Sequence, residues 1–80
     1  MLFLIEYDLV HGTLVSNTAF NEKDRRRAEG VRLAREIELN AEGVDREIVL
    51  LEADDEPSLR LTHRRYFESL AQLAVLPARG

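Results

Sequence analysis

The first ten residues alternate apolar side chains in the way that a β-strand packed on a core requires. Leu2 and Leu4 also make part of the opposite face apolar. A strand that is apolar on both faces seldom lies at an open edge, so we expect this one in the middle of its sheet. Its continuous apolar face consists of Phe3, Ile5, Tyr7 and Leu9.

A second strand is predicted over residues 13–20, where apolar and small polar side chains are mixed in the way typical of an edge strand. Gly12 lies between the two strands and supplies the positive φ that a tight reversal needs. His11 is interpreted as a turn residue. The first two strands are therefore expected to form an antiparallel hairpin.

A helix is predicted from Asn21, as its N-cap, to about Ala41, and Gly43 follows in the left-handed position that commonly ends a helix. Gly30, inside this helix, either permits close contact with a partner element or is simply tolerated. The apolar side chains recur at helical spacing and are mostly small, which predicts a helix that lies close to its sheet. The predicted inward stripe consists of Ala28, Val31, Ala34, Ile37 and Ala41, widened by Leu33.

Residues 47–52 form a predicted third strand, which is again apolar on both faces. Pro57 follows a run of acids and marks the start of a second helix, which we expect from Ser58 to about Leu73. The side chains that this helix is expected to bury are Leu59, Tyr66, Leu70 and Leu73.

This order of elements predicts an α+β fold with ββαβα topology. The chain directions place the first strand between the other two, in a three-stranded antiparallel or mixed sheet of order 2-1-3, with two helices packed on one face. A single domain is expected over residues 1–76, followed by a flexible tail at 77–80. In element order alone the chain resembles truncated ribonuclease-H-like modules, including small antitoxin subunits, and no motif of the chain transfers functional residues from them.

An arrangement with both helices on one face leaves the other face of the sheet uncovered. Large aliphatic side chains on an exposed sheet face favour self-association, and closed twofold dimers are the commonest oligomers. Two alternatives are that the C-terminal segment covers this face or that the helices pack on opposite sides. The third strand turns out either Val49 and Leu51 or Ile48 and Leu50. The candidate homodimer interface consists of Leu2, Leu4, Val49 and Leu51.

The composition limits the classes of function. The 80-residue chain has no cysteine, which excludes disulfides and thiolate metal sites and is compatible with a reducing cytoplasm. Its net charge of −4 argues against a dedicated nucleic-acid-binding domain, which is usually strongly basic. No apolar run is long enough for a membrane span, and the acids that follow Ile5 are unlike a signal peptide. We therefore expect a cytoplasmic protein, and no residue pattern indicates a cofactor.

Three acids are the candidates for a metal site. With the first and third strands antiparallel, Glu6, Asp8 and Glu47 are expected to share the outer face, and clustered carboxylates are ligands for Mg²⁺. Like charges that face one another are destabilising without a cation. The alternative is a solvated acidic rim, because no spacing motif supports a metal.

Arginines in both helices are candidates for binding an anionic ligand, a nucleic acid or an acidic partner. The alternative is ordinary helix stabilisation, because arginines such as Arg32 lie one turn from acids such as Glu36. His63 has the alternative interpretation of a partly buried residue at the flank of the core. The candidate residues are Arg25, Arg26, Arg60, His63 and Arg64.

The sequence favours a non-enzymatic, homodimeric module that acts in interaction or regulation. A nucleic-acid-associated module that uses the arginine-rich helix faces is the first alternative. A metal-assisted hydrolase at the acidic rim is the second.

Overall fold

The computed structural model of the chain describes residues 1–68 as an antiparallel sheet with helices on both of its faces. The strand order is 2-1-3, so the doubly apolar first strand is central, as predicted, and the fold class is α+β. The predicted tail at 77–80, the end of the domain at 76, and the predicted buried residues Leu70 and Leu73 lie outside the described residues. The elements are β1 (Leu2–Asp8), β2 (Thr13–Phe20), α1 (Arg25–Glu42), β3 (Arg46–Glu52) and α2 (Glu56–Thr62).

The helices pack against opposite faces of the sheet, which corrects the prediction that both lie on one face. Leu59 of α2 packs in a cluster with Ile5, whereas Ala28 of α1 packs in a separate cluster with Leu2 and Leu4. Because side chains alternate along a strand, β1 directs its odd-numbered residues to α2 and its even-numbered residues to α1. The central strand is apolar on both faces because each face receives a helix.

The four residues predicted as an open sheet face lie on two different faces, and a helix lies over each of them. Leu2 and Leu4 are only 1% and 9% exposed beneath α1. Val49 and Leu51 pack on the other side, with the cluster that contains Leu59. The interface prediction for these residues assumed that one face of the sheet is uncovered. Because α1 covers the face that carries Leu2 and Leu4, this assumption does not hold.

The turn after β1 is held by one carboxylate. Asp8 accepts hydrogen bonds from the backbone N–H groups of Val10 and His11, at 2.9 and 3.0 Å. The bonds from His11, backbone first, lower the pKa of the Asp8 carboxyl. Gly12 takes the left-handed conformation with φ 65°, as predicted. Leu9 lies in this turn and is exposed, so the prediction that it continues the inward face of the strand is wrong.

Strand β2 contains one residue more than β1 needs for pairing. Glu6 pairs with Ser16 and Tyr7 pairs with Leu14, which leaves Val15 as a bulge. In the described part of the chain β2 is an edge strand, as predicted, and it carries no charged side chain.

Helix α1 begins later than predicted and ends close to where it was predicted. A short 3₁₀ turn, Glu22–Asp24, follows Asn21, whose side chain makes no capping hydrogen bond. At the other end Gly43 takes φ 69°, and the N–H of Val44 donates to the carbonyl of Leu39 at 3.0 Å. This is the helix stop predicted from glycine, with the carbonyl acceptors that such a motif satisfies.

We expect Gly43→Ala to lower the free energy of unfolding by about 1 kcal/mol, because alanine is strained in the left-handed conformation. Gly30→Ala is the matched control. A Cβ at Gly30 meets nothing within 4 Å, and alanine in a helix interior is favoured over glycine by up to about 1 kcal/mol. The urea concentration at the midpoint of unfolding should therefore fall for Gly43→Ala and rise for Gly30→Ala. A stabilised Gly43→Ala protein contradicts the assignment of this helix stop.

Helix α2 is shorter than predicted and does not run to Leu73. Asp55 caps it by accepting a hydrogen bond from the N–H of Ser58 at 2.9 Å. The hydroxyl of Thr62 donates back to the carbonyl of Ser58 at 3.0 Å, a bond that bends helices, and His63 then leaves the helical conformation. A 3₁₀ turn follows and places Tyr66 in the core, edge-on to Tyr7 with ring centroids 5.3 Å apart.

Candidate functional site

Helix α1 turns a different side to the sheet from the one that its apolar pattern predicts. Ala28 and Leu39 are buried, and Arg35 lies on the same side of the helix. These positions share one face because four and seven residues are close to whole helical turns. Of the predicted inward stripe only Ala28 is buried. The exposed members of that stripe are Val31, Leu33, Ala34, Ile37 and Ala41.

An ion pair explains this rotation of the helix. Glu6 is buried in the middle of β1, and Arg35 donates to its two carboxylate oxygens from Nε and Nη2 at 2.8 and 3.1 Å. Arg46 of β3 donates to the same carboxylate, and Arg35 also pairs with Glu38. The hydrogen bond from Arg35 is the main reason that the pKa of Glu6 is lowered. An apolar helix face would remove the two hydrogen bonds from Arg35 and leave this buried carboxylate with Arg46 alone among the described residues.

The outward side of α1 is an exposed apolar surface, which we call the α1 patch. Leu33 is 52% exposed and Ile37 is 61% exposed. The small residues Gly30, Ala34 and Ala41 lie beside these two large ones on the same side of the helix. A Cβ at Gly30 would meet nothing within 4 Å, so the backbone there is accessible to another helix. The α1 patch consists of Gly30, Leu33, Ala34, Ile37 and Ala41.

A groove of about 470 Å³ continues the α1 patch toward the end of the sheet. Its apolar lining includes Leu9, Val44 and Ile48 together with the side chains of Leu33 and Ile37. Its polar lining comes from the end of α1 and the start of β3. An apolar centre with a polar rim is typical of the surfaces through which proteins associate. The polar lining residues are Glu36, Asn40, Asp45 and Arg46.

The charges of α1 are separated along its length. Arginines occupy positions 25, 26 and 27 at its start, and glutamates occupy positions 36, 38 and 42 toward its end. The separation is incomplete, because Glu22 and Asp24 in the preceding turn pair with Arg25 and Arg27, and Glu29 follows them in the helix. Among the contacts within residues 1–68, Arg26 and Glu42 form no ion pair. The start of α1 therefore carries both signs of charge, and local ion pairs such as Arg32 with Glu36 continue along it.

The three candidate metal ligands do not converge. Glu6 and Asp8 belong to the face of β1 that α1 covers, whereas Glu47 pairs with Tyr7 and lies on the opposite face. The prediction for Glu47 is wrong because the face of a strand residue depends on the register, and antiparallel pairing alone does not determine the register. Within residues 1–68, no group of three or more His, Cys, Asp or Glu residues is placed to hold a metal ion.

The five candidate anion-binding residues are divided between the two sides of the sheet. Arg25 bonds to Glu22 and Glu52 at 3.0 and 2.8 Å, and Arg26 follows it on the exposed start of α1. The remaining three lie on the α2 side, so the five do not form one site. Those three are Arg60, His63 and Arg64.

The residues on the α2 side are largely engaged with their own neighbours. Arg64 binds both carboxylate oxygens of Glu68, at 3.1 and 2.9 Å. Arg60 lies 4.6 Å from the ring centroid of Phe67. His63 Nδ1 is 2.8 Å from the hydroxyl of Thr62. These contacts agree with the alternative in which the arginines stabilise their own helix and His63 lies at the flank of the core. They leave little unpaired positive charge for a phosphate.

Three arginines outside the predicted candidate residues form interactions between elements. Arg35 and Arg46 hold Glu6, and Arg65 holds Glu47 at 2.9 Å. A lone acid inside an apolar strand was the available signal for the first pair, because a buried carboxylate needs a partner. No spacing rule connects the third arginine with its partner, since they meet only through the fold.

Glu47 and Arg65 belong to a small polar cluster around Tyr66. The hydroxyl of Tyr66 donates to Glu47 at 2.8 Å, and the Arg65 guanidinium lies 4.2 Å from the ring centroid of Tyr66. Burial raises the pKa of the Tyr66 hydroxyl. The carboxylate is therefore already occupied by two donors, and the cluster closes the edge of the core beside Tyr7.

Comparisons of this chain with protein-family models, curated proteins and solved structures found no match. Among residues 1–68, the helices are too short or too polar to cross a membrane. Since no relative indicates a function, the functional proposal depends on the α1 patch and its groove.

Proposed function

We propose that this chain is a small, non-enzymatic interaction module that forms a homodimer through the α1 patch and the adjoining groove. The observation that carries the proposal is the exposure of Leu33 and Ile37 on the outside of a regular helix whose inner side uses Arg35. Exposed apolar surface that is contiguous and has a polar rim is where proteins commonly associate. A second copy of the chain would remove it from water.

The pairing of the charged side chains supports a module without catalytic chemistry. Glu6 is bound by Arg35 and Arg46, and Glu47 is bound by Arg65. A catalytic site would leave such groups available to a substrate. The nucleic-acid and hydrolase alternatives gain no support from the geometry, because within residues 1–68 every arginine except Arg26 has an acidic partner and the candidate metal ligands are separated. The proposal places the module in the cytoplasm, since a chain without cysteines needs no oxidising compartment.

Ile37→Asp is expected to weaken self-association at least about tenfold, because it introduces a charge at the centre of the apolar contact. Leu61→Asp is the matched control, since Leu61 is 76% exposed on α2, on the other side of the sheet. Sedimentation velocity over a concentration series gives the dissociation constant of each protein. The proposal predicts that the wild-type chain and Leu61→Asp dimerise with similar constants. A monomeric wild-type chain, or equal weakening by both substitutions, contradicts it.

A further inference from the structure

We propose that residues 69–80, which we call the 69–80 segment, pack on the sheet of their own chain and complete its core. They occupy the face that carries α2, along strand β2. This face is opposite to α1, so the proposal does not depend on the homodimer and goes beyond it. The support comes from the cover that α2 provides, from two grooves beside β2 and from the place where the described part of the chain ends.

Helix α2 covers only part of its face of the sheet. It has seven residues, whereas α1 on the opposite face has 18. Several apolar side chains pack against the core cluster of α2 and are only partly buried. Such side chains stabilise the fold further when other apolar groups cover them. They include Leu14, Val49, Leu51 and Phe67.

Two grooves follow β2 on this face. The first β2 groove, of about 140 Å³, lies at the start of the strand, beside Leu14 and Glu68. The second β2 groove, of about 290 Å³, lies toward the end of the strand, beside Ala19 and Glu56. Leu14 and Ala19 pair with residues of β1 that belong to the core cluster of α2. Because paired residues lie on the same side of a sheet, both grooves belong to the α2 face.

The described part of the chain ends at the first β2 groove, since Glu68 is one of its lining residues. The 69–80 segment therefore begins where the groove begins. The residues that pair with Leu14 and Ala19 are four positions apart in β1, which is about 14 Å at 3.4 Å per residue. Residues 69–79 would span about 16 Å as a helix and about twice that distance as an extended chain. The segment is thus long enough to pass both grooves.

The composition of the 69–80 segment is that of a buried element. Six of the eight residues 69–76 are apolar, and none of the eight is charged. The apolar pattern of the sequence predicts Leu70 and Leu73 as buried, and the first β2 groove offers the nearest apolar surface to them. Burial there would remove apolar groups of both the segment and the sheet from water.

Charge complementarity supports the same path along β2. Arg79 is the only charged side chain of the 69–80 segment and lies near its end. Asp55 and Glu56 line the second β2 groove. A segment that runs from Glu68 along β2 brings its one cation to these two carboxylates. An exposed pair of this kind adds little stability but favours this register of the segment.

The two faces of the sheet then have different roles. The α2 face is completed by the chain itself, through Leu70 and the residues that follow it. The α1 patch lies on the other side of the sheet and remains open to a second copy. The 69–80 segment therefore does not compete with the proposed homodimer.

A double-mutant cycle in the full chain tests the contact by urea denaturation. Leu70→Ala and Leu14→Ala should each lower the equilibrium constant for folding about tenfold. The double variant should fall short of the product of the two effects by at least about threefold, because each side chain loses the other as a partner. Leu70→Ala with Leu33→Ala, on the α1 patch, is the matched control, and these two effects should multiply. Coupling to Leu33 instead of Leu14 would place the segment on the α1 patch and overturn the proposal.

Introduced cysteines give an independent readout, because the chain has none of its own. The thiol of Leu73→Cys should react with a maleimide at least about tenfold more slowly than that of Leu61→Cys, since Leu61 is 76% exposed. Urea should abolish the difference. Dilution should not, because the segment and its groove belong to one chain. Equal reaction rates, or protection that is lost on dilution, overturn the proposal, whereas a monomeric chain with a protected thiol refutes the homodimer alone.

Discussion

Leu59→Ala is expected to lower the free energy of unfolding by about 3 kcal/mol, the range found when a fully buried leucine is truncated. Leu59 has no exposed surface and is the residue through which α2 enters the core. It packs in the cluster that contains Phe3, Ile5 and Tyr66. The cavity left by alanine would lie between the central strand and the only helix on this face within the described residues, so little of it can be refilled by local movement.

Leu61→Ala is the control for this substitution, because Leu61 belongs to the same short helix and is exposed. The two variants change helix propensity equally, so the difference between them measures the loss of core packing. We expect Leu61→Ala to change the free energy of unfolding by no more than about 0.5 kcal/mol in urea denaturation. Similar losses for the two variants would show that α2 does not pack on the sheet as described.

Glu6→Gln is expected to cost about 2 kcal/mol of stability, because it removes the charge that Arg35 and Arg46 share in a buried position. Glu38→Gln is the control. Glu38 also pairs with Arg35, but its side chain is largely exposed, and exposed pairs contribute less than about 1 kcal/mol. Chemical denaturation at neutral pH should therefore separate the two variants clearly. Equal losses would contradict the claim that Glu6 determines how α1 lies on the sheet.

The dependence of stability on pH gives a second measurement for Glu6. Hydrogen bonding by Arg35 lowers the pKa of this carboxyl in the folded protein from its ordinary value of 4.5. The unfolded chain therefore binds a proton at a higher pH than the folded one, and stability is lost as the pH falls through the folded pKa. At pH values above 4.5 the contribution is complete. The variant Glu6→Gln should show a shallower loss of stability in acid, and an unchanged acid profile would contradict the pairing.

The strand order could be predicted from the sequence, because β1 is apolar on both faces and β2 is not. The end of α1 at Gly43 could also be predicted, because glycine readily adopts the left-handed conformation that commonly ends a helix. Both predictions depend on chemistry within one element or between neighbours. These are the interactions that a single sequence displays directly.

The faces of α1 could not be predicted, because a long-range interaction decides them. Apolar periodicity assigned Ile37 to the core and Arg35 to solvent, and the structure shows the reverse. Glu6 has two cationic partners in the structure, and Arg35 can be one of them only when its side of α1 faces the sheet. All residues of the α1 patch except Gly30 belong to the stripe that the apolar pattern predicts as core, and the position of Arg35 places them on the outside.

The bulge at Val15 has a consequence for how this chain behaves at high concentration. Between Thr13 and Phe20 the edge of the sheet has no lysine, glutamate or proline to discourage another strand from joining it. Uncharged edges of this kind are templates for fibril growth, in which strands from many molecules extend one ladder. An extra residue interrupts the regular row of donors and acceptors and twists the strand away from a flat template. Within residues 1–68, the feature of this edge that opposes the addition of another strand is therefore the bulge in the backbone and not a charged side chain.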